Sequence, residues 1–367
     1  MNVALLYGGR SSEHVVSIHS AMTIEKVLER LGYDIILISI DLSGIWHLEE
    51  RPVREREEMN GEGKEVSVVP GKGFFADGKK LPIDVAFPVT HGHGGEDGCL
   101  QGLCALARIP YAGCDTLASS IMMFKSVSNL VAKAIGIPTI PTYTIESPTI
   151  ERCIAEGDFT EQLQASIYAC GKMLFVKPED CGSSIGVTPL EDPDEESFAK
   201  AVLEARNHSE RVLVQQYLKG AQEMECAVLE DERQGIVVSP PLCVQNPVVE
   251  ERFLSYSTKY RTTGGDRLVP PTGMSKAQIE EMESYASNLF IAAKCHGYLR
   301  SDFFFYQGKI YFNEDNTLPG MTATSHYPVL IAQCGYTLDE AVEQMIREAF
   351  VLDGEEKGRA YQPPEGA

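Results

Sequence analysis

The stretch from Tyr298 to Pro328, YLRSDFFFYQGKIYFNEDNTLPGMTATSHYP, limits what this chain can become more than any other. Leu299 to Tyr306 is aromatic-rich and predicts a strand, Gln307-Gly308-Lys309 a turn, and Ile310 to Asn313 the antiparallel return. Oxygen-bearing side chains stand where a half-buried hairpin would rather carry apolar ones: Asp302 on the first strand, Glu314 and Asn316 on the second. Residues two apart on a strand share a face, so Glu314 and Asn316 point the same way, and closure at the glycine turn can bring Asp302 beside them. Two carboxylates and an amide carbonyl are hard donors that suit Mg²⁺ bridging nucleotide phosphates. Taken alone, the same residues also fit a solvated hairpin edge.

Three other stretches repeat one pattern, an apolar run feeding a glycine-rich turn. Val3 to Tyr7 leads into GGRSSEH, after which Ile18, Met22, Val27, Leu28 and Leu31 recur at roughly helical spacing. Asp84 to Val89 feeds HGHGGEDGCLQG and a helix from Leu100 to Ala107, and Leu174 to Lys177 feeds PEDCGSSIGV. A ligand often sits at the C-terminal end of such a strand, although a plain βα turn has the same signature. In the third loop, consecutive N–H groups and small hydroxyls, uncrowded at Gly182 and Gly186, can wrap phosphate oxygens. Between these runs, Asp34 to Ile40 predicts a strand, the charged residues 48–82 a surface insertion, and Val127 to Ala134 a helix ending at Gly136-Ile137-Pro138. Val212 to Gln216 predicts a strand, and residues 246–271 a long polar loop of the kind that serves as a lid. Ser275 with Gln278, and Thr337 with Glu340, predict capping boxes for two C-terminal helices.

A chain of 367 residues is long for one core and predicts two or three domains. The pattern divides it at 1–124, 125–215 and 216–367. A formal charge of −21 argues against nucleic acid or an anionic membrane as partner, so Lys and Arg that handle phosphate must be concentrated locally. Ten cysteines without a CxxC pair, and an N-terminal apolar run too short for a secretory leader, predict free thiols in the cytoplasm.

The run R-S-D-F-F…N-E-D-N-T-L-P-G-M-T…S resembles the metal-binding hairpin and following loop of D-alanine–D-alanine ligases, members of the ATP-grasp superfamily. Five more stretches resemble that family's motifs in the family's order, over roughly residues 1–350: GGRSSEHVVSIHSA, HGHGGEDG, FVKPEDCGSSIGV, QQYLKGAQEMECAVLED and SYSTKY. The resemblance implies an α/β (α+β) fold of three-domain ATP-grasp architecture. Its N-terminal domain would be parallel α/β, with nucleotide held between the central and C-terminal domains. It implies that Glu13 anchors the ammonium of a first D-alanine and that His91 and Glu96 shape the substrate site. Lys125, Lys177, Ser184 and Lys259 would contact ATP phosphates, Gln215 and Leu218 the base, Glu223 the ribose, and Phe304 the nucleotide. Asp302, Glu314 and Asn316 would hold two Mg²⁺ ions, which Mn²⁺ could replace. Ser183 would link Glu13 to Tyr260, Arg300 and the Gly320 N–H would stabilise an oxyanion, and Ser325 would hold the second substrate's carboxylate.

Three positions depart from the family pattern: Phe124 where Asp is usual, Gln215 where Glu is common, and Ser255 where Asp is usual. By the same resemblance Tyr260 favours an amine acceptor over D-lactate; His326 beside Ser325 either opens D-serine as an alternative acceptor to D-alanine, or turns to solvent or stacks on Tyr327. A nucleotide-binding homologue without catalysis is the third reading, disfavoured by the retained acidic trio and Arg300. The expected partners are small-molecule D-amino acids. The oligomeric state, homodimer included, is open.

Overall fold

The structure, a computed structural model, describes residues 1–50, 52–53, 63–245, 267–322 and 324–357. Three sheets organise them. In the first, Asn2–Gly8 runs parallel to Asp34–Ile40 on one side and to the edge strand Val85–Pro88 on the other. Val3 to Tyr7 has no exposed surface, so the short apolar run is a strand covered on both faces.

The insertion expected at residues 48–82 is not a separate surface element. Trp46–Glu49, Lys64–Val69, Gly73–Ala76 and Lys79–Lys80 extend the first sheet by four antiparallel strands. Its charges belong to an outer sheet edge, where they discourage pairing with another chain, and they conceal the alternation beneath. Residues 51 and 54–62 lie outside the described residues.

The second sheet is antiparallel, in the order Thr188–Glu191, Met173–Pro178, Val212–Gln216, Thr142–Ile145. Ile150, Leu163, Phe198 and Val202 from three helices bury against its Leu174, Val176 and Val214. The third sheet runs Arg267–Val269, Leu242–Gln245, Gln222–Asp231, Tyr298–Tyr306, Lys309–Asn316, with Gly235–Val238 also on Gln222–Asp231. The end of the expected 246–271 loop is therefore a strand, while 246–266 lies outside the described residues.

Helix packing ties the sheets together. Lys125–Ala134 contributes Ala132 to the third sheet's core, beside Met282, Leu289 and Phe290 of the Lys276–Ala292 helix. The last helix, Leu338–Lys357, returns to the first sheet: Val342, Met345 and Ile346 pack with Val3, Leu5 and Tyr7. Arg30 forks onto Asp339 at 2.5 and 2.8 Å across that joint. Both capping boxes form. Ser275 Oγ accepts from Gln278 N at 3.3 Å and Gln278 Oε1 from Ser275 N at 2.9 Å, while Thr337 and Glu340 exchange the equivalent pair.

Candidate active site

The hairpin closes through Gln307 and Gly308, both at positive φ (48° and 77°), a conformation that joins twisted strands in two residues. Lys309 already pairs with Tyr306, so it opens the return strand rather than ending the turn. Asp302 lies opposite Glu314 and Arg300 opposite Asn316, which puts all four side chains on one face. A bulge at Asp302/Phe303 leaves Asn313 without a partner across the ladder, and this extra residue turns its amide oxygen to within 3.4 Å of Lys177 Nζ.

On that face Arg300 donates to both oxygens of Asp302, at 2.7 and 2.6 Å, and Asn316 Nδ2 donates to Asp302 Oδ2 at 3.1 Å. Glu225, opposite Asp302 on the neighbouring strand, is 3.5 Å from Arg300 Nε and 2.8 Å from His326 Nδ1. Burial raises Asp302 to about 7, against the pull of Arg300 and with the charges of Glu225 and Glu314 adding to it. Such crowding of hard carboxylate oxygens is what a divalent cation relieves, so the residues present fit a Mg²⁺ site. Glu225 was not legible as a site residue, although its spacing from Glu223 puts both on one face of a strand.

A cavity of about 200 Å³ opens between the second and third sheets. Lys125, Lys177, Ser183 and Ser184 line it beside Asp302 and Glu314, and Gln215, Leu218, Glu223 and Phe304 line it as well. Lys125 Nζ donates to the Cys181 carbonyl at 2.8 Å and pairs with Glu314 Oε2 at 3.1 Å. Burial alone would lower its pKa, but Glu314 outweighs that and the net shift is upward. Lys177 goes the other way, to about 8, because burial and the nearby Lys125 exceed the help of Glu314. Phe124 cannot cap the helix that Lys125 begins, and no side-chain cap forms there. Gln215 Nε2 donates to Thr142 Oγ1 at 3.0 Å, which leaves its Oε1 as the acceptor. Ser183 and Ser184 both take positive φ (53° and 56°), unusual for residues with a Cβ and consistent with a loop shaped around a ligand.

Lys177 predicts a pH signature. Its lowered pKa means that above about pH 8 the free chain loses this charge, whereas bound phosphates favour keeping it. Nucleotide binding should therefore take up a proton near pH 9, and affinity should weaken by up to about tenfold per pH unit above 8. Titration calorimetry of ADP in buffers of different ionisation enthalpy reads the proton directly. Lys177→Arg should abolish the uptake, since guanidinium stays charged, and equal uptake in both proteins would remove Lys177 from the phosphate site.

The loops of the first sheet meet this cavity from one side. Glu13 precedes the His14–Arg30 helix without capping it, and its Oε1 instead accepts from Ser183 Oγ at 2.5 Å. A Cβ on Gly182 would sit 3.3 Å from Glu13 Oε2, so the two loops touch where glycine permits it. His91 is buried between Ser20 Oγ (3.2 Å) and the Leu318 carbonyl (2.9 Å), and burial lowers its pKa. Glu96 accepts from Gly92 N at 2.7 Å and is raised to about 8 by burial and by Glu13. The structure thus makes His91 and Glu96 struts of the loop behind Glu13.

On the far side, Ser325 Oγ lies 2.7 Å from Thr322 Oγ1 and accepts from Thr322 N at 3.0 Å. A Cβ on Gly320 would approach Ser325 Oγ to 2.8 Å, so a side chain there would displace the Ser325 hydroxyl. Lys259, Tyr260 and Ser255 lie outside the described residues. Among the described residues no helix is long and apolar enough to cross a membrane, and all ten cysteines are free.

Comparison with known proteins agrees with this geometry. Residues 2–114 match the family model of the D-ala D-ala ligase N-terminus, and residues 131–347 that of the D-ala D-ala ligase C-terminus. The chain is 34% identical over 371 residues to a D-alanine–D-alanine ligase of Ruminiclostridium cellulolyticum, covering 95% of each. Its structure matches D-alanyl-alanine synthetase A of Vibrio cholerae with a TM-score of 0.81 at 31% identity, covering 96% of this chain and 98% of that one. It matches the VanG D-Ala:D-Ser ligase of Enterococcus faecalis with 0.77 at 29%, covering 95% and 99%. With both halves of the family matched in order and a cleft in the C-terminal half lined by carboxylates and lysines, the chain belongs to the D-alanine–D-alanine ligase family.

Proposed function

We propose that this protein joins two D-alanine molecules in an ATP-dependent, ADP-forming ligation that supplies peptidoglycan precursor synthesis in the cytoplasm. The observation that carries the reading is the 2.5 Å bond between Glu13 and Ser183, which sets a carboxylate suited to an ammonium directly against a loop suited to phosphate. A substrate held by Glu13 presents its own carboxylate to the γ-phosphate. A carboxylate oxygen attacks phosphorus, the bond to ADP breaks, and an acyl phosphate forms. Lys125 and Lys177 hold the phosphates in line, a positional and electrostatic task. Two Mg²⁺ ions bound by Asp302, Glu314 and Asn316 would neutralise phosphate charge, and Mn²⁺ would serve in their place. The amine of a second substrate, its carboxylate on Ser325, then attacks the acyl carbon. Arg300 and the Gly320 N–H receive the oxyanion, which collapses as phosphate leaves. Lys259 and Tyr260, outside the described residues, would help exclude water. Gln215, Leu218, Glu223 and Phe304 would seat adenosine. The proposed domain division stays 1–124, 125–215 and 216–367, with the Lys125–Ala134 helix lent to the third core.

The test is to incubate the protein with ATP, Mg²⁺ and each of D-alanine, D-serine and D-lactate, and to identify products by mass. D-Alanyl-D-alanine with equimolar ADP is expected. ADP without a condensed product, or no nucleotide turnover, would remove the reading.

D-Serine stays as a second acceptor because of His326. Its Nδ1 is fixed by Glu225 at 2.8 Å beside Ser325, so the ring is oriented rather than turned away to solvent. An oriented imidazole whose Nε2 is left unpaired in a closed site costs about 1–3 kcal/mol, which handicaps D-alanine against a hydroxylated acceptor. His326→Leu should raise the kcat/KM ratio of D-alanine over D-serine by about 5-fold or more. An unmoved ratio means His326 is not an acceptor contact.

A further inference from the structure

We infer a second metal site, distinct from the acidic hairpin: His93, Asp180 and Cys181 form a three-ligand clamp for a thiophilic divalent cation of the Zn²⁺ class, joining the glycine loop after Val85–Pro88 to the phosphate loop. One ligand atom from each residue lies within 4.8 Å of the other two. His93 Nε2 is 3.7 Å from Asp180 Oδ2, too far for a hydrogen bond. Ligand atoms on a tetrahedral zinc ion sit roughly 3.3–3.7 Å apart, from bond lengths of about 2.0–2.3 Å.

One further observation points to a ligand rather than a loose ion pair. Asp180 Oδ1 is buried with no hydrogen-bond partner among the described residues, although the carboxylate is only 13% exposed. The second ring nitrogen of His93, Nδ1, faces Asp97 Oδ2 at 4.0 Å, and that carboxylate is itself held by Gly94 N at 2.7 Å. At 4.0 Å this is an electrostatic contact and not the hydrogen bond that fixes a metal-binding histidine. The donor set of one nitrogen, one oxygen and one sulfur favours zinc over magnesium, and it shares no residue with the Asp302 hairpin. Burial holds the Cys181 thiol protonated in the free chain, so coordination releases its proton to solvent and gives up the Sγ contact with the His208 carbonyl (3.2 Å). His93 is 47% exposed, which leaves the fourth position to water.

The clamp has a consequence. The Cys181 carbonyl carries Lys125 Nζ, and the next residue, Gly182, abuts Glu13. A cation at this point pins the phosphate loop to the first-substrate loop. Turnover requires such loops to open for product release, so an occupied clamp slows the reaction.

The test uses the full chain. Co²⁺ serves as a spectroscopic stand-in for Zn²⁺, added with Mg²⁺ in excess, and competition with a chromogenic chelator gives the Zn²⁺ stoichiometry. One equivalent with a thiolate-to-cobalt charge-transfer band is expected, and Cys181→Ser should lose the band. His93→Ala should weaken Zn²⁺ binding at least about 10-fold, as loss of a ligand does. These readouts do not depend on ligation. In the kinetic arm, which rests on the proposed reaction, Zn²⁺ at one equivalent should slow the wild type reversibly, and His93→Ala should keep its rate. Unaltered binding in both variants, a band that survives Cys181→Ser, or adventitious surface binding only would overturn the site. Equal inhibition of wild type and His93→Ala would overturn the clamp's effect.

Discussion

Replacing Glu314 with Gln should cut turnover by ~10²-fold or more while the protein still folds. Gln keeps the length of the side chain and can still accept from Lys125 Nζ, now 3.1 Å from Oε2, but it removes the charge. Two effects follow. The pocket loses one of the carboxylates that crowd Asp302, so its attraction for Mg²⁺ falls. Lys125 loses the partner that holds its pKa up against burial, so the phosphate grip weakens at the same time. The Mg²⁺ requirement should rise together with the fall in kcat. ADP release at saturating D-alanine is the measurement, and Mn²⁺ titration by electron paramagnetic resonance reads the metal independently of activity. An unchanged rate of ADP release would mean that the hairpin does not hold the metal. Thermal unfolding separates this from misfolding, since Glu314 lies on a strand whose neighbours Phe312 and Ile310 stay in the core.

Much of the architecture was legible because it rests on local rules. The apolar runs at Val3, Asp34, Leu174 and Val212 became strands within a residue or two, and both capping boxes formed where Ser275 and Thr337 announced them. Residues 48–82 misled because an outer sheet edge carries charge for its own reasons, and four short strands do not produce a long periodic signal. The destination of the last helix was also hidden. Nothing within Leu338–Lys357 says that Val342 and Ile346 will bury against the first strands of the chain, because that contact is fixed by the whole chain's path. At the site, alternation along the hairpin foretold which side chains share a face. The bulge that aims Asn313 at Lys177, and the carboxylate of Glu225 between Arg300 and His326, depend on pairing between strands and could not be read from one strand at a time.

Arg300 has the other large expected effect, and it should separate the two halves of the reaction. Its guanidinium forks onto Asp302 at 2.7 and 2.6 Å, with Glu225 3.5 Å away and Glu314 adding to the same negative field. Arg300→Met would strip the counter-charge from buried carboxylates, which costs about 3–5 kcal/mol of stability and confuses the readout. Arg300→Lys is the informative change. Lysine keeps the positive charge but cannot make two parallel bonds to one carboxylate while reaching a developing oxyanion. Loss of one well-placed donor to an oxyanion costs about 10²–10³-fold. The loss should fall on attack by the amine, where the oxyanion forms, and less on phosphoryl transfer, which Lys125 and Lys177 would support. Single-turnover experiments should therefore show ADP forming faster than D-alanyl-D-alanine, with the acyl phosphate accumulating or hydrolysing in between. If ADP and dipeptide form in step at nearly the wild-type rate, Arg300 does not face the oxyanion, and its fork to Asp302 serves only to hold the hairpin.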